Sequence, residues 1–350
     1  MENSIKVAVI GAGNNGLTMA AHLRLNGLDV KVWNRSESTI HKLLKTGKIH
    51  VSGKINDIAS GIYFTNSMKE AIEDVDFIFI TQPAHTHKEV AEKMAEFLHK
   101  KTKIVLSPGR TFGVFEFRKT LQEAGLKDLP EIVETQTIIY TCRKTDEDKV
   151  VLLDFKKSVK LSGFHPEKNE EFIAGLPDCI RNFFIPANSI IETSIGNVGM
   201  ILHCAPVLLN TGWIENLHTK FLYYYSGITP SIASFLEKLD KERLDVAEKL
   251  GVNLPSTKQW LEESYGVKSD NLYNALQAVD SYKTIDAPQT LTHRYIYEDV
   301  CTGLVPLEAI GKQLGFEMKI TALVIDLSNA LLNEDFRKTG RIVYLEDFNK

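Results

Sequence analysis

Val7-Ala8-Val9-Ile10-Gly11-Ala12-Gly13-Asn14-Asn15-Gly16 reads as an apolar strand that turns through three glycines into a helix. Gly11 permits the tight turn, Gly13 lets the backbone approach a pyrophosphate, and Gly16 lets the helix pack on the strand. The helix start at Asn14 and Asn15 adds amide donors and partial positive charge, which suits an anion. An ordinary strand-to-helix turn is the competing reading, but such a turn rarely needs all three glycines. The stretch therefore points to a dinucleotide, with Gly11, Gly13, Asn14, Asn15 and Gly16 as its binding residues.

The second strand, Asp29-Val30-Lys31-Val32-Trp33, ends at Asn34-Arg35-Ser36. Enzymes that use NAD usually carry Asp or Glu about twenty residues beyond the glycines, to bind the ribose 2′-hydroxyl. Here no carboxylate stands at that place. An arginine among small polar residues suits a 2′-phosphate, so Asn34, Arg35 and Ser36 point to NADP(H). NAD(H) is the alternative, with Arg35 a solvated strand-end residue and Asn34 serving either cofactor.

A chain of 350 residues with 43% apolar side chains is long enough for two domains with separate cores. Its formal net charge of −4, without a basic stripe, gives no reason to expect a nucleic-acid partner. Met1-Glu2-Asn3 leads directly into a strand, which leaves no room for a secretion signal. Cys142, Cys179, Cys204 and Cys301 are widely spaced, with no C-x-x-C. They read as reduced, mostly buried thiols of a cytoplasmic protein, with no metal site implied. Ile195 to Leu209 is expected to be one buried helix. Interrupted by Asn197, His203 and Pro206, it is too short to span a bilayer, so no membrane partner is expected.

Strand-like runs at Lys6–Ile10, Val30–Trp33, Phe77–Ile80, Lys103–Leu106 and Glu131–Thr135 alternate with helical patterns. That alternation implies an α/β, doubly wound and mostly parallel sheet, with its ligand beyond the carboxyl ends of the strands. Two loops leave those ends. Thr81-Gln82-Pro83-Ala84 and Ser107-Pro108-Gly109-Arg110-Thr111 are small and polar, so Gln82, Pro83 and Gly109 join the candidate cofactor contacts, unless they serve only as turns. Val150 to Gly163 reads as a hairpin about Lys156-Lys157-Ser158. Beyond Pro186 long helical patterns take over, as in Pro230–Leu250 and Leu304–Leu314, giving domains at 1–186 and 187–350. His85 and His87 alternate as a metal pair could, but no third ligand stands at a metal spacing, so capping or exposure is the better reading.

In Gly196-Asn197-Val198-Gly199-Met200-Ile201-Leu202-His203, a helix would place Gly196, Gly199 and His203 on one face. Each interior glycine costs about 1 kcal/mol relative to alanine, so something packs closely beside that histidine, whether a ligand or another helix. From this segment alone a core role for His203 is the better reading. The balance shifts with His293-Arg294-Tyr295-Ile296-Tyr297-Glu298-Asp299, whose charges run into apolar sequence. A carboxylate paired with an imidazole makes an acid/base near neutral pH, and by chemistry alone either Glu298 or Asp299 could serve. Phe221-Leu222-Tyr223-Tyr224-Tyr225 reads as core, with Tyr225 a candidate substrate contact.

These motifs resemble those of the opine dehydrogenase family, in particular its shorter bacterial members. The resemblance covers the glycine fingerprint, the Pro-Gly loop followed by Phe115-Glu116-Phe117-Arg118, Tyr140-Thr141-Cys142-Arg143, and the Asn197 to Pro206 segment. It continues through Tyr224 to Pro230, Arg294 to Asp299 and Asp335 to Lys338. It implies a Rossmann-type domain followed by an all-α C-terminal domain, with the active site between them. It also implies a catalytic pair of His203 and Asp299, with Arg294 near substrate or cofactor and Asn197 lining the site. The activity implied is NAD(P)H-dependent reductive condensation of an amino acid with a 2-oxo acid such as pyruvate. Two other functions stand beside it, a simple 2-oxo acid reductase of the ketopantoate type and a noncatalytic NADP-binding sensor. A homodimer is the expected assembly, as the commonest soluble one.

Overall fold

The computed structural model describes residues 5–216 and 218–349. Among these, the strands in chain order are β1 (Lys6–Ile10), β2 (Asp29–Trp33), β3 (Lys48–Gly53), β4 (Asp57–Ser60), β5 (Tyr63–Thr65) and β6 (Phe77–Ile80). They continue as β7 (Lys103–Leu106), β8 (Glu131–Thr135), β9 (Tyr140–Asp146), β10 (Lys149–Phe155), β11 (Val159–Gly163) and β12 (Phe184–Pro186). Val7 to Ile10 are wholly buried and Phe77 to Ile80 nearly so. This is why β1 and β6 read as unbroken apolar runs: a central parallel strand is covered on both faces.

The large sheet has the order β12-β11-β8-β7-β6-β1-β2-β5. Its strands from β8 to β5 are parallel, and β11 runs antiparallel to β8. The chain leaves β1 toward β2 on one side and returns to β6 on the other. The loops after β1 and β6 therefore flank the switch point where doubly wound sheets bind ligands. This is the expected Rossmann-type arrangement, and the chain divides into two compact units, Met1–Ser194 and Ile195–Lys350. The sequence boundary at 186/187 falls at the end of β12. The units part instead within the helix Ile190–Ile195, where Thr193 Oγ1 (2.8 Å) and Ser194 Oγ donate to the Glu134 carboxylate on β8.

A second sheet, β4-β3-β10-β9, was not anticipated. In β3 only Ile49 and Val51 are buried, a short alternation that leaves little apolar signal. It also corrects the expected hairpin: β10 pairs with β9 on one edge and β3 on the other, while β11 joins the large sheet. With both its edges occupied, β10 has none to offer β11. Ser158, at φ +57°, turns the chain from one sheet to the other.

The glycine fingerprint does what its spacing requires. Gly11 takes φ +115°, and a Cβ on Gly16 would lie 1.7 Å from the Gly11 carbonyl oxygen. A Cβ on Gly13 would meet nothing within 4 Å. Helix α1 (Asn14–Leu25) starts there with no side-chain cap and no acidic residue in its first turn. Its first amides thus have no side-chain cap, as an anion site needs.

The second unit is helical, with one isolated bridge between Leu222 and Asp286 among the described residues. Its long helix, Pro230–Lys249, is capped by Thr229 and has Pro230 in its first turn. That helix buries Arg243, whose Nε bonds Asp240 (2.7 Å) while its other nitrogens donate to the carbonyls of Ile195 and Pro255.

The single helix expected over Ile195–Leu209 is instead broken. Helical turns at Ile190–Ile195, Gly199–Leu202 and Cys204–Leu209 are separated near Asn197 and again at His203. At the first break Asn197 Oδ1 accepts from the Gly199 amide (3.0 Å). At the second, Pro206 has no N–H for the Leu202 carbonyl four residues earlier, and the Tyr223 hydroxyl lies against the carbonyls of Leu202 (3.3 Å) and His203 instead. The stretch Ile190–Leu209 is long and apolar enough to cross a membrane, but 89% of its most apolar window is buried within the protein.

Two alanine substitutions separate packing from ligand approach. Gly16→Ala should lower the thermal midpoint by more than ~5 °C, whereas Gly13→Ala should leave it nearly unchanged and weaken dinucleotide binding. Thermal unfolding and a cofactor titration on each variant check this.

Candidate active site

In the first unit the open end of the glycine loop is framed by polar side chains. Asn34 Oδ1 accepts from the Ala12 amide (3.2 Å), and its Nδ2 donates to the Ser36 carbonyl (3.0 Å) and Thr39 Oγ1 (2.7 Å). Asn34 therefore holds the loop from the end of β2, where a carboxylate would stand in an NAD-specific site. The Arg35 side chain is 66% exposed and touches Glu89 (3.3 Å), while Ser36 Oγ lies 2.8 Å from Ser38 Oγ. After β6, Thr81 Oγ1 donates to the Ile10 carbonyl (3.0 Å). Beside it Gln82 Oε1 is buried without a hydrogen-bond partner, and Pro83 is exposed. Such an orphaned oxygen beside the strand ends suits a ligand that brings a donor.

Gly109 has a structural reason of its own. A Cβ there would fall 2.1 Å from Glu134 Oε2, and that fully buried carboxylate also accepts from the Val114 amide (3.2 Å). Glu134 thus ties the loop after β7 to the start of the helix Gly113–Glu123.

In the second unit His203 Nδ1 lies 2.7 Å from Asp299 Oδ2 across 96 residues of sequence. Asp299 is 1% exposed and His203 16%. A carboxylate only accepts, so Nδ1 carries the proton and Nε2 is left to exchange one. Of the two acidic candidates the geometry selects Asp299; Glu298 lies instead 3.7 Å from the Arg294 guanidinium. Directly after Asp299 the chain makes a π-helical turn, Val300–Leu304. A Cβ on Gly303 in that turn would fall 2.7 Å from Met200 Cβ, so the missing side chain is what lets the turn before His203 approach.

The imidazole of His203 also stacks on Tyr295, centroids 4.0 Å apart and planes within 12°. The Arg294 guanidinium lies over the same tyrosine ring at 5.4 Å, so Tyr295 contacts both the histidine and the arginine. Burial holds the phenols of Tyr223 and Tyr295 above their ordinary value, keeping both neutral donors. Asn197 is buried six residues before His203, at the first helix break. Tyr225 is exposed, and its carbonyl accepts from Gln277 Nε2 (3.1 Å). Sequence reasoning missed Tyr295 and Tyr223 as site builders. The usable signals were the adjacency of Tyr295 to Arg294 and the need of Pro206 for a surrogate donor.

His87 is wholly buried, edge-on to Phe117, and among the described residues no cluster of His, Cys, Asp and Glu is arranged to hold a metal ion. The four cysteines are free, with Cys204 and Cys301 buried and Cys142 and Cys179 half-buried.

Residues 186–332 match the family model for the α-helical domain of NAD/NADP octopine/nopaline dehydrogenase. Residues 6–142 match the N-terminus of NAD-dependent glycerol-3-phosphate dehydrogenase. An opine dehydrogenase of Arthrobacter sp. (strain 1C) is 34% identical over 97% of this chain and 94% of its own length. The chain belongs to the opine dehydrogenase family. It is an NAD(P)-dependent oxidoreductase, and its reaction is the reductive condensation of an amino acid with a keto acid. The fold is shared with octopine dehydrogenase in complex with NADH and agmatine, at TM-score 0.76 and 21% identity over 97% of this chain and 93% of that one. Yersinopine dehydrogenase with NADP+ bound gives TM-score 0.78 at 13% identity, covering 100% and 96%. Family membership sets aside the noncatalytic sensor.

Stacking of an aromatic pair is worth about 0.5–1.5 kcal/mol, so Tyr295→Leu should lower turnover by roughly tenfold while Tyr295→Phe, which keeps the ring, stays near the unaltered rate. Steady-state kinetics with saturating cofactor tests the pair.

Proposed function

We propose that His203 is the general acid/base of the reductive condensation, held in one tautomer by Asp299. The observation that carries this is the 2.7 Å contact between His203 Nδ1 and the buried Asp299 carboxylate. The amine nitrogen adds to the carbonyl carbon of the 2-oxo acid and passes one proton to its oxygen, and Nε2 of His203 supplies the second proton, with which that oxygen leaves as water. The product of that step is an imine whose nitrogen keeps its remaining proton, which makes the carbon electrophilic. When bound, the nicotinamide cofactor supplies the hydride that this carbon takes, giving a secondary amine dicarboxylate. Asp299 stabilises the imidazolium whenever His203 carries the extra proton. Arg294, with five donors in a planar fork, clamps a carboxylate through two parallel bonds. Asn197 and Tyr225 complete the substrate contacts, and pyruvate is a small 2-oxo acid that fits the scheme.

The cofactor is held at Gly11, Gly13, Asn14, Asn15 and Gly16, with Gln82, Pro83 and Gly109 along its length. NADP(H) is the preferred form. Three features support this: Asn34 in place of a carboxylate, the small hydroxyl of Ser36, and an exposed Arg35 that can exchange Glu89 for a 2′-phosphate.

Oxidation of NADPH and of NADH, each with pyruvate and with and without a panel of L-amino acids, tests the reading. A rate that requires both organic substrates supports it, and the responding amino acid names the amine. Oxidation by the oxo acid alone would overturn it in favour of the ketopantoate-type reductase. His203→Asn should keep cofactor affinity and lower turnover by on the order of a hundredfold or more. Arg35→Ala should reduce kcat/KM for NADPH by about tenfold and barely touch that for NADH. Equal efficiency of the two cofactors with the unaltered chain would contradict the preference.

A further inference from the structure

We propose that Lys144 is a further cofactor-binding residue, its ammonium taking a phosphate of the dinucleotide. This rests on the NAD(P) dependence of the family and adds a cation that the glycine fingerprint lacks. Lys144 lies on β9, in the small sheet rather than in the strand-helix-strand unit that carries the glycines.

Three contacts fix β9 to the loop. The Lys144 amide donates to Asn14 Oδ1 (3.0 Å), and Cys142 Sγ lies against the Asn14 carbonyl (3.4 Å) and Asn15 Oδ1 (3.2 Å). Alternate residues of a strand share a face, so Cys142 and Lys144 both meet the loop, while Arg143 between them is exposed. With its backbone held there, Lys144 Nζ reaches the carbonyl oxygen of Ala12 at 3.3 Å. Ala12 stands between the glycine that makes the turn and Gly13, beside which space is open.

That ammonium is under-partnered. It has three donors, and among the described residues its one hydrogen bond is to Ala12, with no carboxylate in ion-pair contact. Two other lysines near the same sheet are neutralised: Lys42 Nζ lies 2.7 Å from Asp148 and Lys149 Nζ 3.3 Å from Asp146. Lys144 is instead half-buried, and desolvation lowers its pKa, with Glu147 and Asp146 acting only from a distance. A half-buried cation without a counterion, beside uncapped helix amides, is completed by an anion. The anion that the loop is built to receive is a phosphate, whether of the pyrophosphate or of a ribose 2′-phosphate.

Titration of the full chain with NADPH and with NADH, followed by cofactor fluorescence without substrates, tests this. Lys144→Gln should weaken binding by about tenfold or more, the worth of one charge-assisted hydrogen bond, and Lys144→Arg should stay within about threefold of the unaltered chain. Added salt should weaken binding of the unaltered chain more steeply than that of Lys144→Gln. A loss equal for both cofactors assigns the pyrophosphate, and one confined to NADPH assigns the 2′-phosphate; either supports the proposal. Thermal unfolding without cofactor reports the fold, and Lys144→Met, which keeps the buried stem, is the second uncharged variant should the glutamine form melt early. Binding by a folded uncharged variant as tight as that of the unaltered chain overturns the role of Lys144 alone. Failure of the unaltered chain to bind either cofactor would overturn both this role and the dinucleotide site beneath it.

Discussion

The carboxylate of Asp299, almost wholly removed from water, has His203 Nδ1 as its partner at 2.7 Å. A buried carboxylate is costly unless paired and hydrogen-bonded, so the surrounding helical unit has to deliver the imidazole to that point. Each local irregularity nearby serves the delivery. The helix expected to run straight through His203 breaks there, because Pro206 withdraws an amide and Tyr223 supplies a hydroxyl in its place. The π-helical turn begins with the residue after Asp299, and such turns widen the helix and re-aim neighbouring side chains. Gly303 removes the one side-chain atom that would hold that turn away from Met200.

The two units solve different electrostatic problems. The helical unit buries a negative charge beside a proton carrier, then stacks the same imidazole on Tyr295, whose ring a largely exposed arginine also contacts. The sheet unit leaves donors open: the uncapped amides of α1 and the ammonium of Lys144 both gather at the glycine loop. One arrangement suits proton transfer during a reaction, and the other suits holding an anionic cofactor.

Much of this was legible in the sequence, for identifiable reasons. β1, β6 and β7 are buried central strands, and apolar runs between turns mark such strands clearly. The glycines at 11 and 16 carried the loop because backbone geometry demands them, and Gly13 because it leaves space open beside the helix start. The small sheet was not legible, since β3 buries only alternate residues, β4 buries only Ala59, and β3 finds its second partner, β10, a hundred residues away. The hairpin expected at Val150–Gly163 failed for a related reason: local turn chemistry says nothing about which edges are already taken. His203 and Asp299 were nameable from residue type and family likeness, whereas the choice of Asp299 over its neighbour Glu298 and the stacking of Tyr295 are facts of three-dimensional placement.

The claim at the centre of this account is that Asp299 acts on the chemistry through His203. The most direct measurement is the single-turnover rate of hydride transfer in Asp299→Asn, followed by nicotinamide absorbance with both organic substrates bound, alongside the cofactor dissociation constant. The account predicts a fall on the order of a hundredfold or more in that rate, with cofactor binding unchanged. An unaltered rate in a folded Asp299→Asn protein would contradict it and return the pair to a purely structural role.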